Sequence, residues 1–132
     1  MTSRSHIENA IRSLYAARVK GDLEGTLKDL AEEAVFRING REFMSAPVTG
    51  KAAIRPVVQE LIKHWRFEDW KECSLLVDGE KALLHWTARV TYTPTNKSEN
   101  VETFDVVTFR DGKIVDYLQS TDTALVSSLA AA

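Results

Sequence analysis

A single cysteine, Cys73, leaves the chain without an internal disulfide or a thiolate metal cluster, which suits a reducing cytoplasm. No window approaches the roughly 20 apolar residues of a bilayer span. The opening M-T-S-R-S-H-I-E-N-A also lacks the apolar run of a signal peptide, so no membrane partner is expected. Neither charge sign dominates: 17 basic and 19 acidic side chains leave a net charge of -2. With no lysine or arginine run to follow a phosphate backbone, nucleic acid is excluded as an expected partner. A glycine-rich phosphate loop and a serine or cysteine nucleophile motif are missing as well. His6, His64 and His85 are scattered, with no H-x-x-x-H pair and no acidic cluster beside them, so no metal site is expected. There are no internal repeats, low-complexity stretches or linkers.

What remains is an ordinary globular composition, 44% hydrophobic and 27% charged, on a chain of 132 residues. That is enough apolar material for one core and one domain, residues 1–132. Ser5 followed by Glu8 makes a capping-box pattern, and Ile7, Ala10, Ile11, Leu14 and Ala17 recur at helical spacing, predicting a first helix over 6–20. Gly21 is placed to close it and Asp22 to cap a second, whose stripe is Leu23, Leu27, Leu30, Ala31 and Ala34. Val35 to Ile38 alternates as a short strand ending at the Asn39-Gly40 turn signal. Beyond a loop holding Phe43, Met44 and Pro47, the positions Ile54, Val57, Val58, Leu61, Ile62 and Trp65 predict a third helix. Pro56 places its start near Arg55.

From Trp70 the period falls to two, with strands over 67–77, 81–92, 101–110 and 113–121. The final hairpin, F-R-D-G-K, is read as a three-residue loop that pairs Phe109 with Lys113, Asp105 with Tyr117 and Thr103 with Gln119. The order helix, helix, strand, helix and four strands predicts an α+β fold with helices packed on one face of a curved, mainly antiparallel sheet.

That order, the Gly21-Asp22 junction, the E-E-A-V-F passage from helix to strand and the closing R-D-G-K-I strand resemble the nuclear-transport-factor-2-like superfamily. Its members include ketosteroid isomerases, SnoaL-like polyketide cyclases and limonene epoxide hydrolases. The likeness runs from the first helix to Thr121. It implies a cystatin-like roll, in which a cone of three N-terminal-half helices and the sheet enclose a pocket, and a homodimer through the outer sheet face. The isomerase pattern puts its general base at Ile38, which cannot take a proton, and its phenol donor at Leu14, with Tyr15 one helical position away. Its carboxylic acid is retained as Asp105 in T-F-D-V-V. The epoxide hydrolase pattern puts its arginine at Arg89, while Thr91 and Gln119 stand where its two acids would be. SnoaL-type cyclases need only one pocket aspartate.

The strand L-L-H-W-T-A-R-V-T-Y sets His85, Thr87, Arg89 and Thr91 on one face and Leu84, Trp86, Ala88, Val90 and Tyr92 on the other. Pattern alone turns the second set inward. The resemblance implies the reverse, with Trp86, Ala88, Val90 and Tyr92 as the dimer patch. On that reading Asp105, Arg89 and His85 form the catalytic group, Tyr117, Gln119 and Thr121 orient the ligand, and Trp65, Val58, Phe36, Ile38 and Leu14 are apolar wall. A desolvated Asp105 would be a proton donor, whereas one beside Arg89 would be an ionised base or half of an ion pair. The expected activity is cofactor-free proton transfer on a small-molecule ligand, as in an isomerase, cyclase or hydrolase. The alternatives are a non-catalytic ligand-binding domain or a dimerisation domain.

Overall fold

A computed structural model describes residues 1–40 and 46–131; the expected loop positions Phe43 and Met44 lie outside them. The elements in chain order are α1 (Arg4–Lys20), α2 (Leu23–Leu27), β1 (Leu30–Asn39), β2 (Val48–Thr49), α3 (Lys51–His64), β3 (Trp65–Asp78), β4 (Lys81–Tyr92), β5 (Lys97–Arg110), β6 (Lys113–Thr121) and α4 (Thr123–Ala130). The strands form one curved, open sheet in the order β2-β1-β6-β5-β4-β3, antiparallel except where β1 runs parallel to β6. α1 packs on α2 and β3, α3 on β1 and β3, and α4 on β5 and β4. The fold class is therefore the expected α+β, helices against a mainly antiparallel sheet.

Local chemistry explains most of the boundaries. Ser3, not Ser5, caps α1, accepting from the His6 N–H at 3.2 Å. Gly21 closes it at φ 78°, a left-handed value that glycine takes without a Cβ clash. Asp22 at once caps α2 through the Gly25 N–H at 3.0 Å. α2 then stops after five residues, and Leu30, Ala31 and Ala34 belong to β1 instead of extending the helix as expected. Ala34, Phe36 and Ile38 alternate with exposed or half-buried neighbours, so the strand period sets in where the register shift against β6 ends and regular pairing begins at Val35. α3 starts at Lys51, four residues before the expected start, and carries Pro56 inside it. Ala52 and Pro56 are both exposed, so water can reach the carbonyl left without a partner.

The β5–β6 turn has two residues, Asp111 and Gly112, at φ 51° and 81°, the paired left-handed values of a tight hairpin. A register shift follows, so that Asp105 pairs with Gln119, Val107 with Tyr117 and Thr103 with Thr121. The expected pairing of Asp105 with Tyr117 is thus displaced by two residues. A displacement of two keeps every side chain on its face. α4, which the sequence reading did not anticipate, is capped by Asp122 and buries Val126 and Leu129.

Candidate functional site

β4 decides which sheet face looks inward. Leu84, Trp86, Ala88 and Val90 are buried, Trp86 with only 2% of its surface exposed, and His85 and Arg89 lie on the outer face. His85 Nε2 meets Glu102 Oε2 at 2.7 Å and its ring stacks on Phe104 at 4.4 Å. Arg89 is exposed, between Glu68 and Asn100 in the sheet register. This corrects the placement of His85 and Arg89 beside Asp105: neither lines the cavity described below. It equally removes Trp86, Ala88 and Val90 from an outer dimer patch, while Tyr92 packs half-buried on Trp65 at 4.5 Å. The cause is hydrophobic burial, since inverting the strand would put Trp86 in water and a guanidinium among apolar side chains.

The inward positions of β5 read Val101, Thr103, Asp105, Val107, Phe109, so Asp105 interrupts an apolar run. It has no exposed surface. Its Oδ2 accepts from the Tyr15 hydroxyl, from Tyr117 Oη at 2.5 Å and from Trp86 Nε1 at 3.1 Å. Tyr117 Oη also lies 2.7 Å from Tyr15 Oη, which accepts from Gln119 Nε2 at 3.2 Å. The two phenols hold two protons for three close oxygens, so Tyr117 can donate to Asp105 or to Tyr15 but not to both. Asp105 Oδ1, also buried, has no partner among the described residues.

Burial pushes the Asp105 carboxyl from an ordinary 3.8 up to about 6, against the pull of the Tyr117, Tyr15 and Trp86 donors. Burial, then the neighbouring Asp105 charge, hold both phenols well above their usual 10. At neutral pH the cluster is therefore a carboxylate clasped by two protonated phenols.

Beside it lies a cavity of about 110 Å³. Leu14, Phe36, Ile38, Val58, Trp65, Tyr117, Gln119 and Thr121, the eight residues assigned from the sequence to binding, are all in its wall. Asp105 is not: the phenols of Tyr15 and Tyr117 stand at the cavity and the carboxylate behind them. The sequence reading missed Tyr15, Arg18, Phe67, Thr103 and Val126 as wall, and assigned Trp86 to the opposite face. The signal for the two α1 residues was available, because Ile7, Ile11, Leu14, Tyr15 and Arg18 continue one i, i+4, i+7, i+8, i+11 face. Among the described lining residues Arg18 is the one charged side chain. Among the described residues no group of three or more His, Cys, Asp or Glu is placed to hold a metal ion.

The SnoaL-like domain pattern matches residues 11–117. The chain belongs to the SnoaL-like domain family. No curated protein sequence matches it. Among solved structures, a candidate isomerase from Bacillus subtilis superposes with a TM-score of 0.89 at 19% identity, covering 98% of this chain and 96% of that one. An NTF2-like protein of unknown function from Burkholderia pseudomallei K96243 superposes with 0.83 at 22% identity, covering 100% of both. An LEH-like epoxide hydrolase from M. tuberculosis gives 0.76 at 16%, covering 96% and 90%. At these identities the likeness is one of fold.

Within the SnoaL-like fold of this chain, the residue at position 14, where the isomerase resemblance places a phenol, is Leu14, and the phenol on α1 is that of Tyr15. Leu14 lines the cavity as an apolar group, while the Tyr15 ring reaches Asp105, held by stacking on Trp70 at 4.9 Å. Ile38, at the position of the isomerase base, is buried in the wall. Tyr15, Tyr117 and Gln119 line the cavity, and Asp105 lies behind the two phenols.

Proposed function

We propose that the protein carries out cofactor-free proton transfer on a small, carbonyl-bearing molecule, with Tyr15 and Tyr117 touching the substrate and Asp105 storing the proton behind them. The observation that carries this reading is the buried Tyr15–Asp105–Tyr117 cluster at the wall of an otherwise largely apolar cavity. A phenol oxygen takes a proton from the carbon next to the substrate carbonyl while its own hydroxyl proton passes to Asp105 Oδ2, leaving an enolate. The reverse transfer returns the proton to the same or another atom. An Asp105 pKa of about 6 suits such a store, because an acid near working pH both accepts and releases a proton readily. Membership of the SnoaL-like family, and neighbours of the same fold named as a candidate isomerase and an epoxide hydrolase, agree with this class of chemistry.

Solvent deuterium uptake by small ketones and lactones, followed by NMR, tests it. Tyr15→Phe should slow exchange by about 100-fold or more, the ordinary yield of a positioned proton-transfer group. Undiminished exchange in both Tyr15→Phe and Asp105→Asn would remove the cluster from the chemistry.

A non-catalytic binding role is the second reading, favoured by one observation: both phenols lie within donating distance of Asp105, so no hydroxyl proton need face the cavity at rest. The homodimer expected through the outer sheet face remains part of our proposal, with its residues corrected. Leu76, Leu83 and Phe104, exposed by 63%, 40% and 43%, lie on that face with Val106 and Leu118 in register. Among the described residues no helix is long and apolar enough to cross a membrane; an exposed free Cys73 fits the reducing cytoplasm we propose as its setting.

A further inference from the structure

Arg18 stands one turn after Tyr15 on the same buried face of α1, with 8% of its surface exposed. Its Nη2 donates to the carbonyls of Leu61 at 3.1 Å and Trp65 at 2.7 Å, and its guanidinium carbon lies 4.0 Å over the Phe67 ring. Those two carbonyls close the C-terminal end of α3, where the helix dipole is negative. They occupy two of the five guanidinium N–H groups. No Asp or Glu pairs with Arg18 among the described residues, and Nε and Nη1 have no acceptor there. The side chain is part of the cavity wall. Burial lowers its pKa only to about 10, so the group is a cation at neutral pH.

A buried cation with three unused donors and only carbonyl dipoles and an aromatic face for company is incompletely compensated. If its task were only to close α3, the two bonds from Nη2 would suffice, and the cavity it lines would have no use for a full charge. The rest of that wall is aromatic and aliphatic, including Trp65, Phe67, Trp86 and Val58.

We propose that Arg18 is the anion receptor of this cavity and that the ligand is a small organic carboxylate with an apolar, ring-sized body. The carboxylate meets Nε or Nη1 of Arg18, and the body lies along the aromatic wall toward Tyr15 and Tyr117. This deepens the proton-transfer reading by naming the substrate class, and it rests on that reading only in treating the cavity as a ligand site. Charge-assisted hydrogen bonds are roughly twice as strong as neutral ones, so an acid is distinguished sharply from its amide.

The test is calorimetric titration of the full chain at pH 7 with two pairs of equal size, benzoate against benzamide and phenylacetate against phenylacetamide. The expected result is binding of at least one carboxylate about tenfold or more tighter than its amide. Arg18→Met, which keeps an apolar stem, should erase the difference, and Arg18→Lys should retain part of it. If Arg18→Met fails to fold, the wild-type preference and the Arg18→Lys titration decide. Equal binding within each pair, no binding by either acid, a preference untouched in Arg18→Met, or inorganic sulfate binding as tightly as the acids would each overturn the proposal. Because no turnover is measured, a lost preference leaves the proton-transfer reading standing, and an inactive cluster leaves the Arg18 preference standing.

Discussion

Asp105 should make the protein less stable as pH rises from 4 to 7, the reverse of what acidic side chains usually do. Burial raises its carboxyl pKa from 3.8 in the unfolded chain to about 6 in the folded one. The folded state therefore holds more protons than the unfolded state between these values, and stability falls with pH in that window. Below both values the group is protonated in either state and contributes no difference. Above about 6 it must be ionised in its buried site, and the full penalty applies. At about 1.36 kcal/mol per pKa step, the penalty approaches 3 kcal/mol, of which about 2–3 kcal/mol develops between pH 4 and pH 7.

The perturbation that isolates this effect is Asp105→Asn, which keeps an oxygen to accept from Tyr15, Tyr117 and Trp86 but cannot ionise. Glu24, Glu72 and Glu80 have pKa values held below the ordinary carboxylate range by hydrogen bonds from Arg55, Arg12 and Thr2, and they act in the opposite direction. They are common to both proteins and cancel in the difference. Urea unfolding, followed by tryptophan fluorescence at a series of pH values, should show wild type losing about 2–3 kcal/mol relative to Asp105→Asn between pH 4 and pH 7. The sign carries the argument. If the three donors outweighed burial, the folded pKa would lie below 3.8 and wild type would gain on the variant as pH rose. A flat or rising difference refutes the desolvated carboxylate on which the proton store depends.

Tyr15→Phe removes a donor from Asp105 and the acceptor of Gln119, and should cost about 1–3 kcal/mol in urea unfolding, the usual consequence of unpairing buried polar groups. Leu129→Ala should cost about 2–5 kcal/mol if α4 is as firmly docked as its burial indicates, whereas a change within about 0.5 kcal/mol would show the helix undocked in solution. Gly21→Ala meets only Ile62, at 3.6 Å, so its loss of about 1–2 kcal/mol would come from the left-handed backbone alone, and a neutral substitution would contradict that conformation. On the proposed dimer, replacing Leu83 and Phe104 together with lysine should halve the molar mass measured by light scattering, and an unchanged mass would refute a dimer through the outer face.

The elements were legible in the sequence because most of their side chains obey one period and one cap. The Gly21-Asp22 junction and the inward alternation of β4 follow from steric and hydrophobic rules that act on a few neighbouring residues. α2 was read too long because Leu30, Ala31 and Ala34 satisfy a helical stripe as well as the start of a strand; only pairing with β6 decides between them. The hairpin register depended on a bulge that leaves little local mark, and its two-residue displacement did no damage to the faces. On β4 the family likeness and the period of two point opposite ways, and the burial of Leu84, Trp86, Ala88 and Val90 decides for the period, leaving His85 and Arg89 outside.

Read by burial alone, the candidate site declares itself where polar groups occupy positions that the period assigns to the core. Thr103 and Asp105 do so on β5, Tyr15 and Arg18 do so on α1, and the cross-strand partners Gln119 and Thr121 continue the pattern on β6. A core position is costly for such groups, so each polar side chain there needs a partner. Among the described residues Asp105 finds three donors on one oxygen and none on the other, and Arg18 finds two carbonyls for two of its five N–H groups. Asp105 Oδ1 and the Nε and Nη1 groups of Arg18 are thus the polar atoms of this site to which the described residues give no partner. Function in this fold is therefore best sought in the hydrogen bonds that the folded chain leaves unmade.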